Sequence, residues 1–288
     1  METREYEAGG NGQDGGVGDP ACPQVGVLPV PGARLHYEVR GRGPLLVLLP
    51  GGGGDAGVYD AFAPLLADAY TVVALDPRGY SRSVLDRPPG TQTVERQADD
   101  VAALVEHLGG GPADVIGGSD GALVGLDLLA RYPALVRRVL AHEPPAFGLL
   151  PGAEEHRAFI ASVHETFVRE GMGPAGARFA AWAGAGGDRW EPAPELAARL
   201  FANGPRFLEH ELRSFTSWLP DIGALRGPAA EGRLVLAVGR ETRGALCREP
   251  AVTLASHLGL APLALPGGHG GWLAAAEESA VLVREAMK

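Results

Sequence analysis

Apolar residues fall along this chain in two recurring patterns. Residues 45–49 (Leu-Leu-Val-Leu-Leu), 71–75 and 234–238 are short, nearly continuous apolar runs, and 136–141 reads as a further strand. Such runs are expected of strands buried on both faces of a sheet. Residues 35–39 alternate instead and read as an early strand. Val115-Ile116 and residues 263–265 complete the strand set. Between the runs the period changes. Val94, Ala98, Val101, Leu104, Val105 and Leu108 recur at helical spacing, and residues 59–68 and 122–130 also read as helices. Strands alternating with helices predict an α/β fold with a mostly parallel sheet, covered by helices on both faces.

Residues 146–226 break the alternation. They hold no convincing strand and read as several helices, among them 154–169 and 206–218. Seven of the eight phenylalanines and three of the four tryptophans lie there. A helical insertion rich in large aromatics predicts a cap over the sheet edge. Ligand sites are mostly apolar and aromatic, so Trp182, Trp218 and Phe147 are candidate pocket residues. The expected organisation is a disordered Gly-rich tail over 1–24, an α/β core built from 25–145 and 227–288, and the cap over 146–226.

Composition narrows the partners. A net charge of −10 and a pI near 5.3 argue against nucleic acid and anionic membrane surfaces. No apolar stretch is long enough to span a bilayer. Two cysteines, Cys22 and Cys247, leave no CxxC metal motif and argue against a structural disulfide. The N-terminus has neither a basic segment nor an apolar one of the kind a secretion signal carries. The expectation is a cytoplasmic protein, monomeric or homodimeric, acting on a small molecule without cofactor or metal.

The chemistry centres on Gly117-Gly118-Ser119-Asp120-Gly121, between an apolar run and a helical pattern. A sharp strand-to-helix reversal strains the serine and projects its hydroxyl. Glycine at 117 and 121 removes side chains that would clash there. No His-Glu-x-x-His metal motif, P-loop or dinucleotide fingerprint is present.

With this elbow in place, the chain resembles the α/β-hydrolase superfamily over residues 33–288. Four segments carry the resemblance, in the family's order. Pro50-Gly51-Gly52-Gly53-Gly54 follows the first buried strand, with proline where the family usually has histidine. Asp76-Pro77-Arg78-Gly79-Tyr80-Ser81-Arg82-Ser83 is similar to the family's Asp-x-Arg-Gly-x-Gly-x-Ser, with Ser81 in place of a glycine. The Ser119 elbow comes third, and Gly267-Gly268-His269-Gly270 follows the last strand. The resemblance implies an α/β-hydrolase fold with Ser119 as nucleophile and His269 as general base. It implies an oxyanion hole from the backbone N–H groups of Asp120 and Gly52. The Asp120 carboxylate reads only as a favourable charge in a helix's first turn, and Asp55 as a helix cap.

Two carboxylates compete to orient His269. The commoner family position falls at Thr242, with Glu241 one residue early between Arg240 and Arg243, and a salt bridge to an arginine is its plainer reading. The other position, used by haloalkane dehalogenases and fungal zearalenone lactonases, is similar to Glu143 before Pro144-Pro145. Glu143 is the preferred reading. Serine rather than aspartate at the elbow favours acyl transfer, hence cleavage of an ester or lactone of a mainly apolar molecule through an acyl-enzyme. A thioesterase, an acyltransferase or cyclase, or a C–C bond hydrolase would use the same triad. A non-catalytic binding protein on this scaffold is the third class.

Overall fold

The computed structural model describes residues 4–5, 22–109, 111–185 and 190–288. Ten strands form one sheet: β1 Arg4–Glu5, β2 Gln24–Val30, β3 Ala33–Arg40, β4 Leu45–Leu49, β5 Thr71–Leu75, β6 Val84–Leu85, β7 Ala113–Gly118, β8 Val136–His142, β9 Leu234–Gly239 and β10 Leu263–Leu265. Their order is β1-β2-β3-β5-β4-β7-β8-β9-β10, with β6 on β3. β3 runs antiparallel to β2, β5 and β6, and every other pair is parallel.

The apolar runs are continuous because they feed two layers. Leu45, Val47 and Leu49 of β4 pack into the cluster shared with α1 (Val94–Leu108) and α2 (Asp120–Arg131). Leu46 and Leu48 point to the other face, toward Phe62 and Trp272. The period of two sends alternate side chains to opposite sides. Helix α1 spans the predicted periodic stretch. Thr93 caps it by accepting from the Arg96 N–H at 3.2 Å, and Gly109, at φ 65°, ends it.

Two expectations need correction. Residues 59–68 do not form a helix, and only short 3₁₀ turns occur, at Ala56–Tyr59 and Ala63–Leu65. Pro64 can open a helical turn but gives no donor to prolong one. The 1–24 segment is not wholly without structure, since Arg4 and Glu5 pair with Gln24 and Val25 of β2. Residues 1–3 and 6–21 lie outside the described residues. Strand β2 was not predicted because Gly26 and Pro29 interrupt its pattern. Gly26 is required by its partner strand: a Cβ there would lie 2.1 Å from the Tyr37 ring.

Between β8 and β9 the described residues contain helices and no strand. They are a 3₁₀ turn at Phe147–Leu149, α3 Ala153–Glu170, α4 Met172–Ala183, α5 Pro194–Arg206, a π-type turn at Phe207–Glu211, α6 Leu212–Ser217 and α7 Ile222–Ala230. Ile160, Val163, Ala175, Leu208 and Leu212 form the insertion's own cluster. Phe215, Leu225 and Ala229 pack into the main core instead. Helices α8 Glu249–Leu258, α9 Gly271–Ala274 and α10 Ala276–Ala286 complete the chain. No described helix is long and apolar enough to cross a membrane.

Candidate active site

Ser119 joins β7 to α2 with φ 53° and ψ −122°. A non-glycine residue at positive φ is strained by about 1–2 kcal/mol. Its surroundings enforce that conformation. The Ser119 N–H donates to the His142 carbonyl at 2.9 Å, and its own carbonyl accepts from Ala122. A Cβ at Gly117 would lie 2.2 Å from the Gly121 carbonyl oxygen, and one at Gly121 would lie 2.2 Å from that of Leu49. Only glycine lets helix and strand approach so closely.

Glu143 lies one residue beyond β8. It is fully buried and, at φ 45°, also strained. Its Oε2 meets His269 Nδ1 at 2.7 Å. Its Oε1 accepts the Gly239 N–H at 2.9 Å and the Thr242 hydroxyl. Burial pushes the carboxyl up, but the His269 bond, the neighbouring imidazoles and Thr242 outweigh it and hold the group down at about 2. The structure therefore brings Glu143, and not Glu241, to His269. Glu241 is exposed. Among the described residues it makes no salt bridge, and Arg240 pairs with Glu278 instead.

Sequence reasoning missed the role of Thr242. It sits where the commoner family pattern has its acid, and its hydroxyl touches the acid that replaces it. Trp272 was missed too. It is buried against Tyr59, Phe62 and His142. A Cβ on Gly118 would contact its ring at 3.3 Å. His142 is fully buried, and among the described residues neither ring nitrogen has a hydrogen-bond partner. Burial holds its pKa down at about 3, against the pull of the Glu143 charge. His142, Glu143 and His269 could together offer three metal-ligating atoms within 4.8 Å of one another. Their arrangement is that of a carboxylate holding an imidazole.

The glycine loop reaches Ser119. A Cβ on Gly51 would sit 3.2 Å from Ser119 Cβ, and Gly54 N–H closes a turn onto the Gly51 carbonyl at 2.9 Å. Gly52 has no room for a side chain: a Cβ would lie 2.3 Å from the Phe207 ring and 2.5 Å from Asp120 Oδ2. Phe207, from the insertion's π-type turn, therefore covers the loop, and nothing in the sequence singled it out. The Asp120 carboxyl does not behave as the simple first-turn charge expected. Burial pushes it up to about 7, against the opposing effects of Glu211 and His269, and burial together with Asp120 pushes Glu211 well above its ordinary range.

The three candidate pocket aromatics separate. Trp182 stacks on Phe159 at 4.6 Å and meets Phe147 edge-on at 4.9 Å. Phe147 also lines a cavity of about 230 Å³ with Ile160 and Thr216. Trp218 packs on the main core and donates to Glu95 of α1 at 2.9 Å.

A model of the α/β hydrolase fold matches residues 44–181. The uncharacterized hydrolase YraK of Bacillus subtilis strain 168 is 34% identical over 258 residues, covering 86% of this chain and 90% of that protein. A hydrolase from Pseudomonas aeruginosa PA01 superimposes with a TM-score of 0.66 at 26% identity, over 90% of this chain and 97% of its own. The enol-lactonase from Burkholderia xenovorans LB400 shares the fold, with a TM-score of 0.68 at 20% identity, over 90% and 98%. A relative similar over nearly its full length, the matching family model and the strand order around a strained serine all agree: the chain is a hydrolase enzyme of the α/β-hydrolase superfamily.

Proposed function

We propose that the protein is a serine hydrolase that cleaves an ester or lactone of a mainly apolar small molecule through an acyl-enzyme. The observation that carries this reading is the 2.7 Å bond between Glu143 and His269 Nδ1, on the sheet edge that also carries the strained Ser119. Serine is a weak nucleophile unless a base takes its proton. In this reading Ser119 Oγ attacks the carbonyl carbon and His269 Nε2 takes the proton. Glu143 fixes the imidazole's tautomer and stabilises the imidazolium, remaining ionised itself. The Asp120 and Gly52 N–H groups receive the developing oxyanion. The tetrahedral intermediate collapses, His269 returns the proton to the leaving alcohol, and water repeats the cycle on the acyl-enzyme. The apolar preference rests on Phe207 over the glycine loop.

A fluorophosphonate probe tests the nucleophile. The wild type should be labelled at Ser119, and Ser119→Ala should lose both labelling and turnover of p-nitrophenyl esters and lactones while staying folded. A folded Ser119→Ala variant within tenfold of wild-type activity overturns the assignment.

A further inference from the structure

Ser81 occupies a family glycine position, yet it keeps the left-handed backbone, with φ 46°. A serine there is strained by about 1–2 kcal/mol where glycine would not be. What the serine adds is a polar junction with the cap. Its N–H donates to Asn203 Oδ1 at 3.0 Å, its hydroxyl donates to Asp55 Oδ2 at 2.7 Å, and that hydroxyl accepts from Asn203 Nδ2 at 2.9 Å. Asn203 Nδ2 also donates to the Gly53 carbonyl at 3.0 Å. The amide's orientation is forced, because a backbone N–H can only donate and a carbonyl can only accept. Asn203 is 5% exposed and sits on α5 of the cap. One turn earlier on α5, Arg199 donates to both oxygens of the buried Asp55, at 2.6 and 3.3 Å. Asp55 in turn caps the helical turn after the glycine loop, accepting from the Gly57 N–H.

From this geometry we infer that Asn203 is a positioning residue for the oxyanion loop, with Ser81 as its anchor and Arg199 steadying the loop's far end through Asp55. The inference rests on the serine-hydrolase reading above. Gly53 is the third residue of the turn closed by Gly54 N–H on Gly51, and Gly51 lies against Ser119. Holding the Gly53 carbonyl fixes the peptide two units beyond the one whose Gly52 N–H is expected to bind the oxyanion, at the far side of the same turn. A chain of glycines has little stiffness of its own. The cap thus supplies the rigidity that a preorganised donor needs.

The test compares Asn203→Ala, Asn203→Asp and Ser81→Ala in the full-length enzyme. Asn203→Asp keeps the acceptor for Ser81 N–H but loses the donor to Gly53, so both Asn203 variants should lose about 10- to 100-fold in kcat, as expected when a donor is misplaced. KM should stay within about twofold and the fluorophosphonate labelling rate should fall in parallel, because the loop acts in the transition state. Asn203→Ala combined with Ser81→Ala should lose less than the product of the single losses. A folded Asn203→Asp variant with wild-type kcat and labelling overturns the inference and leaves the nucleophile assignment standing. So does a rise in KM alone, which would make Asn203 a substrate contact of the cap. Unlabelled wild type, with Ser119→Ala still active, overturns both.

Discussion

The hydroxyl of Thr242 donates to one oxygen of Glu143 while His269 takes the other. The position where the family commonly carries its acid has become a support for an acid that enters from a different strand. Glu143→Gln should lose about 10²-fold or more in kcat, as when an orienting acid is neutralised. Glu241→Gln should change kcat less than about twofold, since the side chain is exposed and surface substitutions rarely matter. Steady-state kinetics on one ester decides the ranking, and the reverse order would move the acid to Glu241.

The same contact allows a relocation experiment. Glu143→Ala should be nearly inactive, and adding Thr242→Asp should restore about tenfold or more, because Thr242 already lies against the carboxyl site and a carboxylate there could reach the imidazole. Recovery of kcat in the double variant, measured beside Thr242→Asp alone, is the readout. No recovery would show that the two strands do not present their acids equivalently.

Buried titrating groups give stability two opposed pH slopes. His142 is held down at about 3, below its ordinary 6.5. Between those values the unfolded chain binds a proton that the folded one refuses, so stability falls as pH drops through this window. Glu143, held at about 2, extends the loss below its ordinary pH 4.5. Asp120, pushed up to about 7, works the other way: the folded state holds the extra proton, and stability is lost as pH rises from about 4 toward 7. Asp120→Asn should therefore gain in thermal midpoint over wild type, and the gain should grow from pH 5 to pH 8. A constant difference across that range would show that the carboxyl is not protonated in the folded protein.

The aromatic residues predict selectivity. Phe207→Ala should flatten the preference for medium-chain or aromatic esters over acetate, since Phe207 covers the glycine loop. Each buried methylene is worth roughly 0.8 kcal/mol, about three- to fourfold in kcat/KM. Trp218→Ala should lower the thermal midpoint and leave the chain-length profile unchanged, because that ring bonds Glu95 on the core side. A graded p-nitrophenyl ester series with both variants checks this. A profile altered by Trp218 and not by Phe207 would reverse the assignment.

What could be read from the sequence followed from local chemistry. The strand runs and helix α1 showed in their periodicity, and Ser119 showed in glycines that only close packing demands. His269 and Glu143 could be named from their loops, but their contact could not, since it spans 126 positions. Phe207 and Asn203 left no local signal because their partners are glycine-loop atoms about 150 residues away. Trp182 and Trp218 looked alike in sequence, and only packing sent one to the insertion's own cluster and the other to α1. The absent helix at 59–68 shows the same limit, since apolar spacing cannot reveal where a short segment stops repeating.

The pairing of β7 with β8 places Gly118 beside His142. The residues that follow the two strands are Ser119 and Glu143, so the proposed nucleophile and its proposed acid stand at adjacent strand ends, held in register by a ladder of main-chain bonds. His269 alone arrives on a loop, glycine on both sides. The three-part constellation thus has two parts fixed to one rail and a third carried on a separate loop, which the Glu241 N–H ties down through the Gly267 carbonyl. Tuning or disabling this enzyme, by evolution or by design, needs to move only one short stretch of chain.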